Sequence, residues 1–134
     1  MTRPAVPPHI VVTAAVVRRG ERFLVTRRPR GVHLEGCWEF PGGKCEADET
    51  LADCLQREIL EELGTAVRVD RELLSVTHEY PERTVELHFF TCVLDEDPRP
   101  VLNQEIRWVD RTELASLDLP PADAELIRLL QNLD

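Results

Sequence analysis

The sequence has no apolar run long enough to cross a bilayer. Its longest, Ile10 to Val17, is eight residues and includes Thr13, whereas a spanning helix needs roughly 18 or more. The opening residues MTRPAVPPH contain no apolar h-region and do not read as a signal peptide, so a cytoplasmic protein with no membrane partner is expected. Basic excess is also missing. Sixteen Lys and Arg stand against 25 Asp and Glu, a formal net charge of −9, the opposite of the balance in proteins that grip long nucleic acid by its backbone. A small phosphorylated ligand stays open, because divalent cations can hold it and such cations need carboxylates. Cysteine is unpatterned: Cys37, Cys45, Cys54 and Cys92 make no CxxC pair and no Cys/His zinc spacing. They read as ordinary reduced, partly buried thiols. Repeats, linkers and biased tracts are absent as well.

With 134 residues, 43% of them hydrophobic, the chain suits one domain over residues 1–134, with an irregular proline-stiffened tail at 1–8. HIVVTAAVV and FLVTRR, joined by RRGER, read as a hairpin over residues 9–28. CWEF is a short strand that PGG ends. A helix follows: Thr50 is a good N-cap, Asp53 forms an imperfect capping box, and Leu51, Leu55, Ile59 and Leu63 repeat at helical spacing up to the stop at Gly64. AVRVDRELLSVTHEY and RTVELHFFTCVL are strands turning at PER. EIRWV is a strand, DRTELASL a helical turn and PADAELIRLLQNL a final helix. Mixed strands with helices on either side indicate an α/β or α+β fold with a mixed sheet.

The stretch Gly42 to Thr65, GGKCEADETLADCLQREILEELGT, carries seven acidic residues around one Arg-Glu pair. At about 100° per residue, Glu58, Glu61 and Glu62 fall within an arc of about 100°. Carboxylates crowded in this way repel one another unless a cation joins them, and they supply hard oxygen ligands for Mg²⁺ or Mn²⁺. A solvated acidic face is the plainer reading of such a cluster, but Gly42, Gly43, Glu49 and Arg57 around it point elsewhere.

This stretch resembles the Nudix box, G-x5-E-x7-R-E-U-x-E-E-x-G-U, where U is a bulky apolar residue. Gly43, Glu49, Arg57, Glu58, Ile59, Glu61, Glu62 and Gly64 all fall in place, and only Thr65 departs. Seven fixed positions, each a factor of roughly 15, make a chance match about one in 10⁸. The resemblance implies a Nudix fold and cleavage of a nucleoside diphosphate linked to another moiety. It implies Glu58, Glu61, Glu62 and the Gly42 carbonyl as metal ligands, and Arg57 as the partner of Glu49. Glu58 is then the residue that activates water, as general base or as ligand of the metal that acidifies it.

Flanking pieces narrow the branch. GCWEFPGGKCE, TRRP, EYPERTVELHFF and LPPADAELI are similar to the MutT-type branch, which converts nucleoside triphosphates to the monophosphate and pyrophosphate. In that branch Arg28 and Arg83 lie near nucleotide, though both also read as surface residues. Lys44 reads either as a phosphate contact or as a solvated lysine, and His33 as a phosphate contact or a loop histidine. Phe40 walls the nucleoside pocket or fills the core, and Glu39 accepts a base hydrogen bond. Asp123 replaces the asparagine with which the branch reads oxidised guanine, and it also suits a helix N-cap. An ionised aspartate accepts two hydrogen bonds and donates none, which matches guanine N1–H and N2–H₂. Cytosine fits when its N3 or the aspartate is protonated. A further carboxylate ligand of many relatives is Leu102 here, leaving Glu105 as its nearby substitute.

The resemblance therefore implies a Mg²⁺-dependent (or Mn²⁺-dependent) pyrophosphohydrolase that clears oxidised or non-standard nucleotides, 8-oxo-dGTP or CTP among them. Its partner is a small nucleotide, and a monomer and a homodimer both stay open. A Nudix enzyme for ADP-ribose or another diphosphate, and a non-catalytic nucleotide-binding module, are the alternatives. The four retained box glutamates disfavour the module.

Overall fold

The computed structural model describes residues 8–31 and 35–133; His33 lies outside them. Two long strands, β1 (His9–Arg19) and β6 (Thr84–Leu94), run parallel at the centre, with Ile10 opposite Val85 and Val17 opposite Cys92. All other pairings are antiparallel. β2 (Arg22–Arg27) follows β1 and carries β3 (Trp38–Glu39) and β7 (Ile106–Asp110), while β5 (Val67–Glu79) pairs with β6. The order is β3-β2-β1-β6-β5, a mixed sheet. The hairpin expected over residues 9–28 forms only at its turn, where Arg18 faces Phe23 and Arg19 faces Arg22. Beyond that turn β1 leaves β2 and pairs with β6.

A second difference is β4 (Gly42–Lys44), where the sequence suggested that PGG simply ends a strand. Gly42, Gly43 and Lys44 pair with Ala14, Thr13 and Val12 of β1. A Cβ at Gly42 would overlap the Thr13 carbonyl. Only glycine lets the two backbones meet there.

Alternation along β1 explains its unbroken apolar run. Ala14 and Val16 face one core cluster and Ala15 and Val17 the other, since successive side chains of a strand point to opposite faces. One cluster holds α1 (Leu51–Leu63), whose Leu55, Ile59 and Leu63 are fully buried. Each of these side chains contributes about 1.5–3 kcal/mol of burial. The opposite cluster holds α2 (Arg111–Ser116) and α3 (Ala124–Gln131) through Leu114, Leu126 and Leu130. The sheet is thus sandwiched between helices.

The ends of α1 follow the sequence closely. Thr50 Oγ1 accepts the Asp53 N–H at 3.1 Å, and Gly64, at φ 68°, donates its N–H to the Leu60 carbonyl. Thr65, the one departure from the box, is buried but satisfied. Its hydroxyl donates to the Ala66 carbonyl at 2.9 Å and accepts the Glu96 N–H at 3.0 Å.

Candidate active site

Arg57 organises the acidic stretch. Its Nε and Nη2 donate to the two carboxylate oxygens of Glu49 at 2.6 and 2.8 Å, a bidentate pair across the loop before the helix. Nη2 also donates to the Lys44 carbonyl at 3.1 Å, and Nη1 to Glu58 at 2.9 Å and Glu61 at 3.3 Å. Hydrogen bonds from Arg57 hold the Glu49 carboxyl down at about 2. The guanidinium itself is pushed up by the same bonds. One arginine thus ties β4, the loop and α1 together.

Glu58 leans against β4. A Cβ at Gly43 would overlap the Glu58 carboxyl group, so the second glycine is required by that side chain. Burial pushes the Glu58 carboxyl up, and Arg57 only partly offsets it. Glu62 is pushed up to about 8, first by burial and then by Glu58 and Glu39. The Gly42 N–H hydrogen bond opposes this. Among the described residues, no ion pair involves Glu62.

Glu62 lines a cavity of about 390 Å³ that runs from Gly42, Gly43 and Lys44 to Asp123. Arg28 and Arg83 reach the same cavity, and Phe40, Leu87 and Phe89 wall it, with Phe40 and Phe89 edge-to-face at 6.1 Å. Asp123 is 4% exposed. Burial, and then Glu39, push its carboxyl up to about 7. Glu39 is raised by burial too, and it is held by Arg28 Nη1 at 2.8 Å. The N-cap expected of Asp123 does not form. The residue closes a 3-10 turn at φ −85° and ψ −6°, with no side-chain cap to α3. The residue lines the cavity instead.

Most of the residues singled out in the sequence meet here. Gly42, Lys44, Glu62, Arg28, Glu39, Phe40, Arg83 and Asp123 line the cavity. Glu58 abuts it through Gly43, and Glu61 is exposed beside Arg57. Glu105 does not join them. Its carboxylate accepts from Arg27 at 3.1 Å, and the residue lines a neighbouring cavity of about 750 Å³ with residues 27–30, Glu35, Gly36, Asn103 and Gln104. The neighbouring Gln104 turns inward instead and donates to the Glu62 carbonyl at 2.8 Å. Leu102 is exposed.

Two features escaped the sequence reading. Tyr80 lines the cavity, with its ring centroid 4.4 Å from that of His78. An aromatic placed just before the turn that carries Arg83 was the available signal. The second is a correction: Cys45 and Cys54 are paired as a disulfide, with Cα atoms 5.2 Å apart, while Cys37 and Cys92 are free thiols. Unknown strand pairing hid this. β4 had to lie on β1 before Cys45 could meet the first turn of α1.

Among the described residues, no three His, Cys, Asp or Glu side chains converge on a closed metal cage. Glu58 and Glu61 both accept from Arg57 Nη1. The donors still suit a hard divalent cation, because Glu62 is a half-buried carboxylate near Glu58, Glu39 and Glu61 and, among the described residues, in no ion pair.

The NUDIX domain family profile matches residues 12–129. The CTP pyrophosphohydrolase of Escherichia coli strain K12 is 33% identical over 128 residues, covering 92% of this chain and 93% of that one. An 8-oxo-dGTP diphosphatase of Haemophilus influenzae is 36% identical over 129 residues, covering 92% of each. The solution structure of the Escherichia coli ORF135 protein superposes with a TM-score of 0.81 at 32% identity, covering 91% of this chain and 88% of that one. On the box with its one departure at Thr65, the sandwiched mixed sheet and these matches, the chain belongs to the Nudix hydrolase family.

Proposed function

We propose that the protein hydrolyses nucleoside triphosphates to the monophosphate and pyrophosphate, acting on oxidised or non-standard bases. One observation carries the reading: a single cavity has the box carboxylate Glu62 at one end, with Glu58 behind Gly43, and the buried, apolar-walled carboxyl of Asp123 at the other. The first end suits phosphates and the second a base.

Glu58, Glu61, Glu62 and the Gly42 carbonyl are the donors that would hold Mg²⁺ or Mn²⁺. Such an ion neutralises phosphate charge and polarises the phosphoryl centre when bound. Lys44, Arg28 and Arg83 add positive charge along the cavity. The Glu58 carboxylate, with Oε1 held by Arg57 and Oε2 against Gly43, takes the proton of the attacking water. Water adds to phosphorus as the bridging oxygen leaves with pyrophosphate.

At the base end, Phe40, Phe89 and Tyr80 provide apolar and aromatic surface, and Asp123 reads the base edge. Near pH 7 Asp123 exists in both forms. Ionised, it accepts the N1–H and N2–H₂ of a guanine; protonated, it donates to cytosine N3 and accepts from its N4 amine. This dual character supports a substrate range that includes both oxidised guanine and cytosine nucleotides.

The test is a turnover panel of 8-oxo-dGTP, dGTP, CTP and 5-methyl-dCTP with Mg²⁺, resolving phosphate, pyrophosphate and monophosphate. Pyrophosphate with the matching monophosphate is expected from at least one. Silence on all four, or orthophosphate as sole product, refutes the reading.

A further inference from the structure

Cys45 follows β4, and its N–H donates to the Val11 carbonyl at 2.8 Å. Cys54 sits in the first turn of α1, fully buried, with Sγ 3.2 Å from Thr13 Oγ1 and 3.8 Å from the Gly43 carbonyl. Their pairing therefore spans the segment that carries Glu49 and joins strand to helix beside the cavity. Arg57 makes the same connection by charge, through Glu49 and the Lys44 carbonyl. The acidic loop thus has two tethers, one ionic and one covalent.

We propose that Cys45 and Cys54 are a redox-modification site, closed by a hydroperoxide and reopened by a dithiol, which braces β4 against α1 when oxidised. That it regulates hydrolysis rests on the function proposed above. In closing, the Cys45 thiolate attacks the distal peroxide oxygen, giving a sulfenic acid and releasing an alcohol, or water from hydrogen peroxide. The Cys54 sulfur then attacks the sulfenic sulfur and expels water. Two thiols and one hydroperoxide become one disulfide, one alcohol and one water. In reopening, a dithiol thiolate attacks Cys45 Sγ, because Cys45 is the partly exposed partner, and Cys54 leaves as thiolate. The second thiol resolves the mixed disulfide. In a reducing compartment the pair rests open and closes under oxidant.

The test needs no substrate. Reduced protein is titrated with hydrogen peroxide, free thiols are alkylated and mapped by mass spectrometry, and the unfolding midpoint is followed. Loss of two thiols, mapped to Cys45 and Cys54, is expected, with a Tm rise of about 5–10 °C that dithiothreitol reverses. Cys45→Ser shows neither change, while its hydrolysis stays within about twofold of the reduced parent. The Arg57→Lys defect is smaller in oxidised than in reduced protein, because the covalent tether stands in for the ionic one. Oxidation confined to Cys37 or Cys92, or a closed pair with unchanged Tm, overturns the proposal. These readouts separate its failure from that of the functional reading, since pairing is scored without turnover and turnover without pairing.

Discussion

At one end of the site, Glu49, Arg57, Glu58 and Glu62 come from a single loop and helix, and Glu62 lines the cavity. At the other, Phe40, Tyr80, Phe89 and Asp123 come from four separate segments. The first end is polar and braced, with five hydrogen bonds from Arg57 described above fixing one carboxylate after another. The second is largely apolar, and its buried carboxyl, Asp123, feels the charge of Glu39. Chemistry that is the same for every nucleotide can be built locally with fixed spacing. Recognition that distinguishes one base from another is assembled from distant residues, each of which can change without disturbing the phosphate end.

Substitutions at the two ends sharpen that contrast. The largest effect is expected from Glu58→Gln, which removes the proton acceptor while keeping its shape. Its kcat should fall by about 10²–10⁴-fold on every substrate, with preference among bases unchanged. Full activity on any of them breaks the assignment of the polar end.

Asp123→Asn should do the reverse. Total activity survives, but the ratio of kcat/KM between guanine and cytosine nucleotides should move by about 10–100-fold, as expected when a paired buried group is lost. A stability profile checks the same residue. The folded carboxyl is raised from an ordinary 3.8 to about 7. Its contribution is therefore full below about pH 4 and is lost as pH rises through 7, because the folded state holds the proton that the unfolded state releases. Without metal, the Asn variant should escape this loss and gain on the order of 2–4 kcal/mol over the parent at pH 8. Urea unfolding at pH 5 and pH 8 measures it, and parallel profiles for the two proteins contradict a buried, raised Asp123.

Arg57→Lys keeps the charge but cannot make the bidentate bond to Glu49. A loss of about tenfold in kcat is expected under reducing conditions, with base preference again unchanged. The smallest effect belongs outside both ends. Glu105 pairs with Arg27 at the surface, both side chains about half exposed, so Glu105→Gln should leave turnover and metal dependence within about twofold. A large loss would bring Glu105 back as a ligand.

The sequence showed the braced end almost in full. A helix turns its spacing directly into geometry, so Glu58, Glu61 and Glu62 and the caps at Thr50 and Gly64 could be read from order alone. Contacts that depend on strand pairing could not. β4 on β1, the overlap that demands Gly43, and the Cys45–Cys54 pair all require knowing which strand lies beside β1. Asp123 was noticed, but the same PPADAELI pattern suits a cap and a pocket equally. The missing side-chain cap and the place of Asp123 in the cavity lining separate the two. Sequence proximity of Glu105 to Leu102 likewise could not reveal its pairing with Arg27.

The most direct test of the account is a crystal structure with Mn²⁺ and an α,β-methylene triphosphate analogue of the best substrate. The account predicts an anomalous peak among Glu58, Glu62 and the Gly42 carbonyl, phosphates beside Lys44, and the base edge within hydrogen-bond distance of Asp123. A nucleotide seated outside this cavity, or one with its base against Glu62 and its phosphates toward Asp123, would contradict it.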